Sequence, residues 1–135
     1  MKLLENKNIL IVGVANKHSI AAGIAKSMVE NGANIALTYQ NERLKENVEK
    51  LGKEIGVETF IACDVSSDIE IAETFKSLAS YWEGLDAVIH AVGFAPREEL
   101  DGEFIDVTSR EGFQIAHDIS SYSFIGLAKE AKNMM

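Results

Sequence analysis

The residues able to do chemistry lie where apolar runs stop: Gly13, Ser19, Gln40, Asp64 with Val65, and Ala91-Val92-Gly93. Gly13 follows the run Ile9-Leu10-Ile11-Val12, and no large apolar residue occurs after Val14 until the helical spacing that begins at Ile20. A strand that aims a loop, a glycine that lets backbone approach closely and a helix with free N–H groups together suit an anion, most naturally a pyrophosphate. The Gly-x-Gly-x-x-Gly fingerprint is absent, since the glycines here are Gly13 and Gly23, so a buried strand-helix turn that binds nothing is the alternative.

Gln40 stands where a dinucleotide-binding fold usually carries an acid for the adenosine ribose. An amide both donates and accepts and does not repel a 2′-phosphate, so NADH is expected and NADPH is left open. Arg43, one turn on, would favour the phosphate, though an exposed helix arginine accounts for it equally. Asp64 is placed to accept from an adenine amino group with Val65 lining the base, and it would serve as well as a turn aspartate. Ala91, Val92 and Gly93 offer small-residue backbone where a nicotinamide ribose must come close, while a tight helix-strand contact would also explain Gly93.

Other candidates are weaker. His18, His90 and His117 have no partners at metal-ligand spacing, and His117 beside Asp118 on a helix points elsewhere than its neighbour. Tyr122 and Lys129 share a helix face, but nearly two turns separate them, which favours a packed tyrosine and a surface lysine over a proton-donating pair.

The elements that must position these residues follow from periodicity. Strands are predicted at Ile9 to Val12, Asn34 to Tyr39, Val57 to Cys63 and Asp86 to Ala91. Helices alternate with them. The first is capped by Ser19 and closed at Gly32, the second starts at Gln40-Asn41 and stops at Gly56, and the third opens on a Ser67/Glu70 capping box. Right-handed crossovers then give an α/β, Rossmann-like doubly wound parallel sheet in the order 3-2-1-4, with its ligand crevice beyond the carboxyl ends. Phe94 to Val107 reads as a loop with at most one helical turn. Thr108 and Glu111 form another capping box, opening a helix that continues to the end of the chain. The apolar residues of that helix wrap far enough round to require two partners, the sheet and a second subunit.

The 135 residues, 47% hydrophobic, suit a single domain over 1–135 with no linker or repeat. One cysteine, no apolar signal core at MKLLENKN and no long apolar run lead to an expected cytoplasmic location. A net charge of −8 argues against nucleic-acid or anionic-membrane partners.

Taken in order, Gly13-x5-Ser19-Ile20-x2-Gly23, TYQNERL, CDV, GFAP, LDG and TSREGFQIAHDISSYSF resemble the bacterial enoyl-[acyl-carrier-protein] reductases, a divergent branch of the short-chain dehydrogenase/reductases. The resemblance implies a homotetrameric oxidoreductase of type II fatty-acid synthesis. Hydride would pass from NADH to the β-carbon of an enoyl thioester on acyl carrier protein. Gly13, Ser19 and Ile20 would hold the pyrophosphate region, Gln40 the adenosine side, and Asp64 and Val65 the adenine. Ala91, Val92 and Gly93 would run along the nicotinamide ribose, with Ala91 where many relatives carry serine. The family's catalytic tyrosine and lysine follow in a later helix and have no match here. The chain therefore reads as the cofactor half of the enzyme, inactive alone, with no catalytic residue of its own. A nucleotide-binding or interaction module, and a dehydrogenase of the same superfamily acting on another substrate, are the alternatives.

Overall fold

The computed structural model describes all 135 residues. Its centre is β1 (Asn8–Val12), flanked by β2 (Asn34–Tyr39) and β4 (Ala87–His90), with β3 (Thr59–Ala62) beyond β2. All pairings are parallel and the order is β3-β2-β1-β4, as expected. Successive strand residues point to opposite faces, which explains the unbroken apolar run of β1. Leu10 and Val12 join Ile61, Ile71, Phe75, Leu78 and Leu127 on one side, whereas Ile9 and Ile11 join Ala21, Ala25, Ile35, Leu37 and Val48 on the other. Each such fully buried side chain is worth about 1.5–3 kcal/mol.

The first side is covered by α3 (Asp68–Leu78) and α6 (Ser123–Ala131), the second by α1 (Ile20–Glu30) and α2 (Glu42–Ile55). Both faces are thus wound with helices. Gly32 and Gly56 follow α1 and α2 in the left-handed region, at φ +93° and +95°. Asn41 caps α2 by accepting from Leu44 N–H, and Ser67 caps α3 by accepting from Glu70 N–H. The Glu70 carboxylate reaches Asp64 N–H instead of completing the box. No helix is long and apolar enough to cross a membrane.

Several expected boundaries move for local reasons. The third strand begins at Thr59 rather than Val57 because Val57 N–H is taken by Gly52 O in closing α2. The fourth strand's hydrogen bonding does extend one residue past each end, through Asp86 N–H to Asn8 O and Ala91 N–H to Val12 O. After β4 the segment has more structure than expected: a 3₁₀ turn at Arg97–Glu99 and the short α4 (Phe104–Val107). Ser109, not Thr108, caps α5 (Arg110–His117), accepting from Gly112 N–H. Thr108 is diverted to donate back to Phe104 O, while Glu99 accepts from both the N–H and the hydroxyl of Ser109. The expected continuous helix is broken by a π turn at Asp118–Tyr122 before α6 resumes.

β4 lies at the sheet edge and all four of its residues are only half-buried. An unpaired, apolar parallel edge is a template for another chain. The isolated 135-residue chain should therefore self-associate with rising concentration in sedimentation velocity. A monodisperse, cooperatively melting monomer would contradict this.

Candidate functional site

The carboxyl ends of the four strands line one open crevice of about 260 Å³. The volume is below the roughly 300–1,000 Å³ usual for enclosed ligand sites, so an extended ligand would lie along the rim instead of inside a cavity. Gly13 to Ala15 come from the end of β1, Thr38 and Gln40 from β2, Cys63 to Ser66 from β3 and Ala91 to Phe94 from β4. Leu44 and Ile119 close the sides. Seven of the nine site residues expected from sequence therefore meet here: Gly13, Gln40, Asp64, Val65, Ala91, Val92 and Gly93.

Gly13 is held at φ +116°, and a Cβ there would collide with the carbonyl of Ala91. Only glycine lets the β1 turn touch β4 at the point where the chain reverses its winding. Gly93 is different: a Cβ added to it meets nothing within 4 Å, which removes the tight helix-strand explanation.

Ser19 and Ile20 do not line the crevice, and their placement explains the loop between. Ser19 stands at the N-cap position but makes no side-chain bond to α1. Its hydroxyl turns back to accept from Ala15 N–H at 3.0 Å and Asn16 N–H at 3.1 Å, while Asn16 Oδ1 accepts from His18 N–H. The turn is thereby pinned from within. The N–H groups of Ile20 and Ala21 keep no protein partner, leaving the first turn of α1 open to an anion. Ile20 could contribute only through its backbone, since its side chain is 81% exposed.

Asp64 is the turn aspartate that its sequence context offers. Its Oδ1 accepts from Ser66 N–H and the Ser66 hydroxyl, an Asx turn, which leaves Oδ2 free at the crevice. Gln40 and Arg43 are exposed, and neither side chain is hydrogen-bonded within the chain. Cys63 lines the floor but is buried, and that burial pushes its thiol pKa up, keeping it protonated and unreactive.

The π turn supplies contacts that strand-end reasoning did not foresee. It brings Ile119 to the crevice, joins the Ser120 hydroxyl to the backbone of Phe94 and sets buried Ser123 within 2.8 Å of His90 Nε2. Ser123 donates to Ile119 O, so His90 donates through Nε2–H. Three serines in the five-residue stretch Ser-Ser-Tyr-Ser-Phe were the available sequence signal, because such hydroxyls compete with helical backbone bonds. Tyr122 also departs from expectation. It is exposed rather than packed, and Lys129 Nζ lies over its ring, 5.8 Å from the centroid. His117 stacks on Phe113 and forms no bond with Asp118.

A 3-2-1-4 parallel sheet wound on both faces, with a glycine-gated turn at its switch point, defines a Rossmann-like protein. Residues 13–135 match the family model described as enoyl-(acyl carrier protein) reductase. The chain is 46% identical over 135 residues to the NADH-dependent enoyl-[acyl-carrier-protein] reductase of Escherichia coli (strain K12), and 48% identical to that of Neisseria meningitidis serogroup B (strain ATCC BAA-335 / MC58). Each alignment takes in 100% of this chain and 52% of the relative. Among solved structures, the Anaplasma phagocytophilum reductase in complex with NAD superimposes with a TM-score of 0.94 at 42% identity, over 98% of this chain and 50% of that one. The Aquifex aeolicus VF5 reductase (NADH) gives 0.94 at 47% identity, over 98% and 52%. The chain belongs to the enoyl-[acyl-carrier-protein] reductase family, and it spans about half the length of the relatives it matches.

Two outcomes follow from this geometry. Gly13→Ala should abolish dinucleotide binding in a calorimetric titration, since strain of about 1–2 kcal/mol at positive φ adds to the overlap with Ala91; Gly93→Ala, with open space around it, should fold normally. Burial holds the His90 pKa below its ordinary value of 6.5. The unfolded chain then takes up the proton first as pH falls, so the stability present above that value is lost through the window beneath it. Between about pH 7.5 and 5.5 the thermal midpoint should fall further in wild type than in His90→Gln.

Proposed function

We propose that this chain is the dinucleotide-binding part of an NADH-dependent enoyl-[acyl-carrier-protein] reductase of fatty-acid synthesis. The observation that carries the proposal is the convergence of the four strand ends with a turn that Ser19 preorganises, leaving the Ile20 and Ala21 N–H groups open. The fit is supported by the space that glycine leaves at position 13, where backbone must come near a pyrophosphate. The names of the relatives and the NAD complex from Anaplasma phagocytophilum favour NADH.

In this reading Gly13, Ser19 and Ile20 organise the pyrophosphate end, Ser19 by pinning the turn and Ile20 through its N–H. Gln40 hydrogen-bonds the adenosine ribose, and its neutral amide tolerates NADPH more readily than an acid would. Asp64 accepts from the adenine amino group through Oδ2, with Val65 against the base. Ala91, Val92 and Gly93 form the backbone wall beside the nicotinamide ribose; Ala91 offers no hydroxyl, so contacts there are made by peptide groups. When bound, NADH supplies the hydride for the β-carbon of an enoyl thioester. The proton donor and acyl pocket are assigned to the half of the relatives' length that this chain does not match.

The exposed apolar side of α5 and α6, including Phe113, Phe124 and Ile125, suits packing against a further subunit in a homotetramer. The cytoplasm, where acyl carrier protein would present the substrate, is the proposed location. The test is oxidation of NADH, followed by its absorbance, on adding a crotonyl thioester to the protein that carries this chain with its following half. Turnover should be seen there, and the 135-residue chain should give none. A full-length protein that binds NADH neither calorimetrically nor by fluorescence would remove the proposal.

A further inference from the structure

We propose that Ser120 is a positioning residue for hydride transfer, holding the Gly93–Phe94 peptide in one orientation at the crevice wall. The inference rests on the enoyl-reductase reading above. One hydroxyl makes both bonds: Ser120 Oγ accepts from Phe94 N–H at 2.9 Å and donates to Phe94 O at 3.0 Å. A hydroxyl with one proton and two lone pairs can satisfy both together.

The need for such a clamp comes from the residue before it. Gly93 has no side chain, and open space surrounds the position a Cβ would take, so local packing does not restrain its peptide. Strand bonding ends earlier, at Ala91 N–H on Val12 O. Beyond that point, the Phe94 N–H and carbonyl are both held by Ser120. Because the peptide is trans, directing Phe94 N–H at Ser120 turns the Gly93 carbonyl away from the π turn. The peptide after Gly93, a residue lining the crevice, thus has its direction set by a side chain 26 residues later.

The π turn makes the reach possible. Its wider winding moves Ser120 onto Phe94, sends the neighbouring Ile119 to the crevice and seats Ser123 under His90. The end of β4 is consequently fastened to one helical segment at two places, His90 and Phe94. A wall that drifts by about an ångström misaligns donor and acceptor carbons, a displacement able to cost up to about a hundredfold in rate.

The experiment compares Ser120→Ala, Ser120→Thr and Ser121→Ala in the full-length protein with NADH and a crotonyl thioester. Ser121 is exposed and takes no part in the clamp. In Ser120→Ala, kcat should fall about tenfold while the Kd for NADH stays within about threefold, the signature of lost alignment rather than lost binding. Ser120→Thr, which keeps the hydroxyl, should recover most of the rate, and Ser121→Ala should match wild type. Amide exchange at Phe94 should quicken in Ser120→Ala alone. An unchanged kcat in Ser120→Ala overturns the inference, as does an equal loss in Ser120→Thr or a loss of NADH affinity that accounts for the whole effect. Wild-type protein that oxidises no NADH with the thioester overturns the reading beneath it and the inference together.

Discussion

The contact on which the site depends is the one between the turn after β1 and the end of β4, where Gly13 lies against the carbonyl of Ala91. Any side chain at position 13 would push the two strand ends apart. The crevice exists only because its halves meet there: Gly13 and the turn behind it serve one side, Ala91 to Phe94 the other. A positive φ at Gly13 also sends the chain back toward α1, so a single residue decides both the closeness of the walls and the direction of the helix.

That contact is held by a sheet whose central strand has no solvent face. Leu10 and Val12 anchor α3 and α6, and Ile9 and Ile11 anchor α1 and α2, so the two helical layers are locked to each other through β1. At the opposite end of the strands a polar fastening fixes the same register. Asp86 accepts from Asn8 N–H and pairs with Lys7, and both interactions hold its carboxyl below the usual carboxylate range. Asn8 also bonds Gly84 O and receives Asn34 Nδ2–H. β1 is thereby tied to both neighbours at its amino end, and the register set there carries through to the ligand-facing carboxyl ends.

Beyond the sheet, precision comes from side-chain hydroxyls and carboxylates acting on backbone. Ser19 pins the first turn, Ser66 turns Asp64, Glu99 ties the 3₁₀ turn to the start of α5, and Ser120 holds Phe94. Ser19 and Ser66 act within their own turns, whereas Glu99 and Ser120 join segments 10 and 26 residues apart. The long connection after β4 is therefore fastened near both ends, while Leu100, Phe104 and Ile105 between the fastenings remain exposed.

Much of this was legible from residue order. The apolar run Ile9 to Val12, the capping residues Asn41 and Ser67, and glycines at 32 and 56 dictate strands and helices through local sterics and hydrogen bonding. Alternation of those elements implies right-handed crossovers and a parallel sheet, and the usual dinucleotide-binding order 3-2-1-4 brings Gly13, Gln40, Asp64 and Gly93 together. Tertiary structure alone decided the rest. Ser109 rather than Thr108 became a cap because Glu99 reaches it. The helix after Arg110 opened into a π turn where Ser120 and Ser123 found partners on β4. In each case several local arrangements are nearly equal in energy, and a partner supplied by a distant segment selects among them, which is information that residue spacing does not contain.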